Sequence, residues 1–144
     1  MILIEDTHWP LVVIGVCRGP RLDEAILDRA RARWRSPEPR RALFVVPGFG
    51  QCALTAHAAL RRWLTRQPAP AALCRSAAWV IPDDAVRASV ALMLDLGGYA
   101  PFGGPAATFE TVTAAFAWMR DLARVEDSAP FVLPPIVTNC HPSL

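Results

Sequence analysis

The stretch that decides the fold is Ala42-Leu43-Phe44-Val45-Val46, five apolar residues in succession, followed at once by Pro47-Gly48-Phe49-Gly50. A continuous apolar run of this length predicts a strand buried on both faces of a sheet, and the Pro and Gly residues after it predict a loop. Two further runs of the same kind lie at residues 11–17 and 77–81. Strands of this type are typical of parallel sheets covered by helices.

Helical periodicity follows each of these three strands and alternates with them. The predicted helices cover residues 22–35, about 53–66, the segment after the N-cap Asp83, and 110–124. Residues 2–5 are predicted to be an antiparallel neighbour of the first run, and residues 106–109 a short edge strand. The order predicts an α/β fold, with a mixed, mostly parallel sheet of four to five strands and about four helices.

Length and composition predict one domain. The chain has 144 residues, of which 53% are hydrophobic and 19% charged, and a compact chain of this length buries roughly 68% of the surface that its unfolded form exposes. We assign the domain to residues 1–124 and a Pro-rich C-terminal arm to residues 125–144. Because Phe131 and Ile136 make the arm apolar, we expect it to pack on its own domain or on a neighbouring subunit.

Several classes of protein are disfavoured by the distribution of charge. No apolar run reaches the length of a membrane span, and Glu5 and Asp6 stand where a secretory signal needs basic residues. We therefore expect a cytoplasmic protein with no membrane span. The net charge of +2 is too small to favour a nucleic-acid partner.

The basic residues are all arginine, and several are clustered. Residues 29–35 contain four of them at every second position, and residues 40–66 contain five more. Residues two apart on a helix point in different directions, so a solvated helix face is the favoured interpretation of the first group. A contact with phosphate or anionic lipid is the alternative.

The four cysteines favour free thiols over disulfides. Cys17, Cys52, Cys74 and Cys140 form no CxxC pair, and we expect them to be buried as small hydrophobic residues. Cys140-His141, completed by His8 or Cys17, matches no usual zinc spacing. We expect neither a metal nor a cofactor.

Cys52 and His57 are the one pair that suggests nucleophilic chemistry, because a thiol at a helix N-terminus has a lowered pKa. Five positions on a helix turn the second side chain roughly 140° away from the first. A structural Cys with a surface or partly buried His is therefore the favoured interpretation, and we expect no catalytic residue.

The chain resembles a STAS domain, in particular the bacterial STAS/SEC14-like proteins related to sporulation anti-sigma factor antagonists. The resemblance covers about residues 2–123 and rests on the element order, on the strand-loop-helix passage of residues 44–62 and on the closing segment 109–119. It implies no enzyme activity and a regulatory role through docking. In the family a Ser at the start of the helix after the second core strand is sometimes phosphorylated. Here that loop has no Ser, and Thr55 is the nearest hydroxyl.

The expected function is therefore that of a regulatory or scaffolding module that docks on a protein partner, with self-association as a further expectation. Trp34 and Trp63 end their helices beside Arg, where we expect partial exposure, and Trp and Arg are enriched in interfaces. The expected docking residues are Phe49, Gln51, Cys52, Thr55, Trp63 and Trp34.

A second hypothesis places a small-molecule or lipid-binding cleft near residues 97–105. This Gly-rich and Pro-rich segment follows a helix and lacks the arrangement of a phosphate loop. Its aromatic residues Tyr99 and Phe102 are the candidate ligand contacts, as the SEC14 side of the resemblance permits.

Overall fold

The computed structural model describes residues 2–5, 10–16, 28, 31–66, 73–96 and 104–125. The strands are β1 (Ile2–Glu5), β2 (Leu11–Val16), β3 (Arg40–Val45), β4 (Cys74–Val80) and β5 (Ala106–Phe109), and the helices are α1 (Gly50–Thr65), α2 (Asp84–Asp95) and α3 (Val112–Val125). Residues 31–34 are also helical. They belong to the first predicted helix, most of which lies outside the described residues.

The five strands form one sheet in the order β1-β2-β3-β4-β5. β1 is antiparallel to β2, as predicted, and β2 through β5 run parallel to one another. The chain therefore has the predicted α/β fold, because a helix separates each parallel strand from the next.

The sheet separates two apolar layers of different composition. On one face, Phe44 and Trp79 stack with ring centroids 4.3 Å apart, and the layer includes Trp34, α1 and α2. On the other face, α3 packs Ala115 and Met119 on Leu43, Ala78 and Val80. Alternation along each strand sends neighbouring residues to these two layers, so the strands are apolar throughout.

Because β2–β5 run in the same direction, the two ends of these strands differ. We call the end that contains the C-terminal ends of β2–β5 and the starts of α1, α2 and α3 the upper edge. The lower edge contains the N-terminal ends of β2–β5 and the ends of the helices, because each helix runs back along the strand that precedes it.

Several elements begin earlier than predicted. β3 starts at Arg40 instead of residue 42, β4 starts at Cys74 instead of residue 77, and α1 starts at Gly50 instead of about residue 53. Charged or polar residues at the strand starts do not resemble a buried strand, but Arg41 pairs with Ser76 across the sheet.

Within the described ranges, no helix has both the length and the apolar character needed to cross a bilayer.

Candidate docking surface

The loop between β3 and α1 has a defined backbone at the upper edge. Gly48 and Gly50 adopt φ values of 86° and 55°, in the left-handed region that favours glycine. Phe49 between them is extended, with φ −135° and ψ 160°, and is the N-cap residue of α1 without a side-chain cap. A β-carbon on Gly48 would also meet the Cys52 β-carbon at 3.4 Å. The turn therefore favours glycine on both sides of Phe49, because of the positive φ at each.

Asp83 supplies the missing cap from a distant part of the chain. Its carboxylate accepts a hydrogen bond from the Gly50 N–H at 2.7 Å and another from the Val86 N–H at 2.9 Å. These two bonds lower the pKa of Asp83, because they stabilise the charged form. One carboxylate thus joins the starts of α1 and α2 and holds the loop of Phe49.

Exposed side chains cover the start of α1 beyond this loop. Phe49 is 58% exposed and Leu54 is 47% exposed, and the polar members of the predicted docking set lie between and beside them. Gln51, Cys52 and Thr55 are all exposed. Leu54 was absent from the predicted set, because its place in the helical period resembles a core position. We call Phe49, Gln51, Cys52, Leu54 and Thr55 the docking surface.

Thr55 and Cys52, both members of the predicted docking set, lie in the first two turns of α1. The Thr55 hydroxyl donates to the Gln51 carbonyl at 2.9 Å, within the helix. Cys52 is exposed, so the prediction that it is buried is wrong. The start of α1 at Gly50 places Cys52 on the outer side of the first turn. Cys74 is buried as predicted, and burial raises the pKa of its thiol to about 12.

Trp34 and Trp63 lie at the opposite end of the domain from Phe49. Fourteen positions of helix separate Trp63 from Phe49, a rise of about 21 Å. Trp34 is fully buried, so the prediction of partial exposure is wrong. The half-buried Trp63 covers Trp34, with ring centroids 5.5 Å apart. The Arg40 guanidinium carbon lies 4.8 Å from the centroid of the Trp34 ring. Trp34 cannot contribute to a docking surface in this fold.

His57 lies on the inner side of α1, away from Cys52. It is buried and meets Trp79 edge-on, with ring centroids 5.9 Å apart. Burial lowers the pKa of His57, and the charge of Arg61 lowers it further, so the imidazole is neutral at pH 7. Because the two side chains point to opposite sides of the helix, the geometry gives no support to a thiol-imidazole pair.

Arg40 and Arg41 belong to the second group of clustered arginines, and both are buried, which the sequence patterns did not predict. Arg40 donates to the carbonyls of Trp34 and Ser36, which are left without helical partners where the helix ends. Arg41 donates to the Ser76 hydroxyl at 3.2 Å on the α3 side of the sheet. Both act as hydrogen-bonding anchors at the starts of strands.

The remaining candidates lie outside the described residues. These are the cleft residues Tyr99 and Phe102 and the metal candidates Cys140, His141, His8 and Cys17. In the part of the chain that the structure describes, no group of three potential metal ligands comes together.

Comparison with known proteins adds nothing to this fold and surface. No protein-family model matches the chain, and no curated protein or solved structure shows significant similarity to it. The resemblance to STAS/SEC14-like domains therefore stays a prediction.

Proposed function

We propose that the domain is a non-enzymatic regulatory or scaffolding module that docks on a protein partner through the docking surface. The observation that carries the proposal is Phe49, an aromatic side chain 58% exposed on a backbone that Asp83 holds in place. Burying a large aromatic ring in a partner's pocket is a typical hot-spot interaction. A backbone that is already ordered loses little entropy on binding.

The chemistry of the partner follows from the residues around Phe49. Residues 47–60 contain no acidic residue, no arginine and no lysine, and His57 is buried and neutral. The charges nearest to Phe49 are already partnered within the chain, because the Asp83 carboxylate accepts from Gly50 and Val86 and Asp84 pairs with Arg87. The complementary surface is therefore an apolar pocket for Phe49 with a neutral polar rim. Association through such a surface depends little on salt, because few charges are brought together.

The test is affinity capture of the full chain from its native lysate, followed by binding measurements with the purified stoichiometric partner. We expect Phe49→Asp to weaken binding by about 30-fold or more, the loss typical of a hot spot. Leu96→Asp is the matched control, since Leu96 is an exposed apolar residue at the other end of the domain, and it should retain full affinity. Equal affinity of the wild-type chain and Phe49→Asp would refute the proposal.

A further inference from the structure

The lower edge of the domain concentrates positive charge that the small net charge conceals. Among the described residues, every arginine except Arg87 and Arg120 lies near the start of a strand or toward the end of a helix. The described acidic residues toward this edge are Asp28, Glu38, Asp95 and Asp121, together with Glu5, which ends the antiparallel strand β1. Glu38 lies 3.5 Å from Arg33, and Asp121 lies 3.8 Å from Arg124. Positive charge therefore predominates at this edge.

Three contacts bring separate arginine-bearing segments to the same place. Trp34 and Trp63 pack with centroids 5.5 Å apart, which joins the ends of two helices. Arg40 bonds to the Trp34 carbonyl and pairs with Cys74 across the sheet. Arg35, Arg62 and Arg75 each lie next to one of these residues in sequence and are exposed, and Arg66, one helical turn after Arg62, is exposed as well. We call these four residues the arginine rim.

Three members of the rim, Arg62, Arg66 and Arg75, lie in a stretch of sequence without acidic residues. Between Glu38 and Asp83 the chain contains six arginines and no acidic residue. Arg62 lies in the last turn of α1 and Arg66, four positions later, is its C-cap residue. Like charges at this spacing destabilise an isolated helix. An anionic surface placed against the rim would remove this repulsion.

Among the described residues, the most exposed large apolar side chains lie at the same edge. Leu96 follows the end of α2 and is 76% exposed, and Val125 ends α3 and is 85% exposed. Both are aliphatic. A basic surface flanked by protruding aliphatic residues is the combination found in proteins that lie on anionic membranes.

We propose that the lower edge binds peripherally to an anionic lipid bilayer. The arginine rim contacts the negatively charged headgroups, and Leu96 and Val125 enter the interfacial layer. This surface is about the length of α1 away from the docking surface and does not depend on it, so the bound domain presents Phe49 away from the membrane.

A bilayer fits this edge better than a nucleic acid does. Stacking of bases requires accessible aromatic faces, but Trp34 is fully buried and Trp63 is packed on it. Exposed aliphatic residues gain free energy in a lipid interface and gain little beside phosphates in water.

The test is co-sedimentation of the full chain with vesicles of phosphatidylcholine, with and without phosphatidylserine. We expect binding to the vesicles that contain phosphatidylserine and release at high salt. Each arginine near such a surface contributes about fivefold to partitioning. The variant Arg62→Gln/Arg66→Gln/Arg75→Gln should therefore bind about 100-fold more weakly, and Leu96→Ser/Val125→Ser should also bind more weakly.

Matched controls separate this surface from the rest of the domain. Arg87→Gln removes an arginine of the upper edge, and Phe49→Asp alters the docking surface, so both should bind vesicles like the wild-type chain. Circular dichroism establishes that each variant is folded. Failure of the wild-type chain to bind vesicles with phosphatidylserine would overturn the proposal. Tighter binding to a single-stranded or duplex oligonucleotide than to these vesicles would also overturn it, in favour of nucleic-acid binding.

Discussion

Asp83 has a larger role than an ordinary N-cap, because its carboxylate bonds to the starts of two helices, at Gly50 and at Val86. The cap of α2 is local in sequence and was predicted. The cap of α1 comes from 33 residues away, and no local pattern could indicate it. This explains why the predicted start of α1 fell beyond Gly50.

Replacing Asp83 by Ala should lower the stability of the domain more than replacing Asp84 by Ala. Asp84 is the matched control, since it lies next in sequence and makes an exposed ion pair with Arg87, a kind of pair that contributes little. The folded-state pKa of Asp83 is lowered from 3.8, so its contribution is present above that pH and is lost as the pH falls through the lowered pKa. Urea unfolding of both variants measures this. Equal midpoints near neutral pH would contradict the double cap.

His57 should make the stability depend on pH in a higher range. Burial lowers its folded-state pKa below 6.5, so the unfolded chain takes up the proton first. Stability is therefore greatest above about pH 6.5 and declines as the pH falls toward the folded-state pKa. In His57→Leu this slope should be absent between about pH 7.5 and 5.5 in urea titrations. If stability in His57→Leu depended on pH as it does in the wild-type chain, another titratable group would be responsible for the pH dependence.

At the scale of the elements, the continuous apolar runs predicted the cores of β2, β3 and β4, because such runs are buried on both faces. The charged starts of β3 and β4 were missed, since Arg40, Arg41 and Ser76 are satisfied only by groups that the fold brings near. The prediction for Trp34 failed for the same reason. Adjacent arginines suggested exposure, and contacts with Trp63 and Arg40 cover the ring instead.

The entry to β5 contains a close backbone approach that should tolerate no side chain. A β-carbon added to Gly104 would stand 1.9 Å from the Arg75 carbonyl oxygen, and backbone atoms cannot move aside as a flexible side chain can. Gly104→Ala should therefore cost about 1–3 kcal/mol, the range for overpacking. Gly50→Ala is the control, because the added β-carbon meets no atom within 4 Å and Gly50 has a positive φ. This variant therefore measures the cost of a positive φ without a steric clash. A thermal midpoint of Gly104→Ala equal to that of the wild-type chain would contradict the close approach.

For the whole molecule, the sheet order places β3 in the centre, with a paired strand on each side and helices over both faces. Its amides can exchange only when most of the domain opens. Hydrogen exchange should therefore be slowest for residues 42–45 and faster for β1 and β5, the two outer strands of this sheet. If β5 exchanged as slowly as β3, an additional cover on that edge would be required.

The consecutive strand order also has a consequence for the way the chain is made. From β1 to β5, each strand pairs with the strand synthesised just before it, so a newly emerged strand finds its neighbour already outside the ribosome. None of these five described strands has to wait for another of them from much later in the chain, which keeps loop-closure costs low. The sheet can therefore grow one strand at a time during translation, and unpaired edges that invite aggregation stay short-lived.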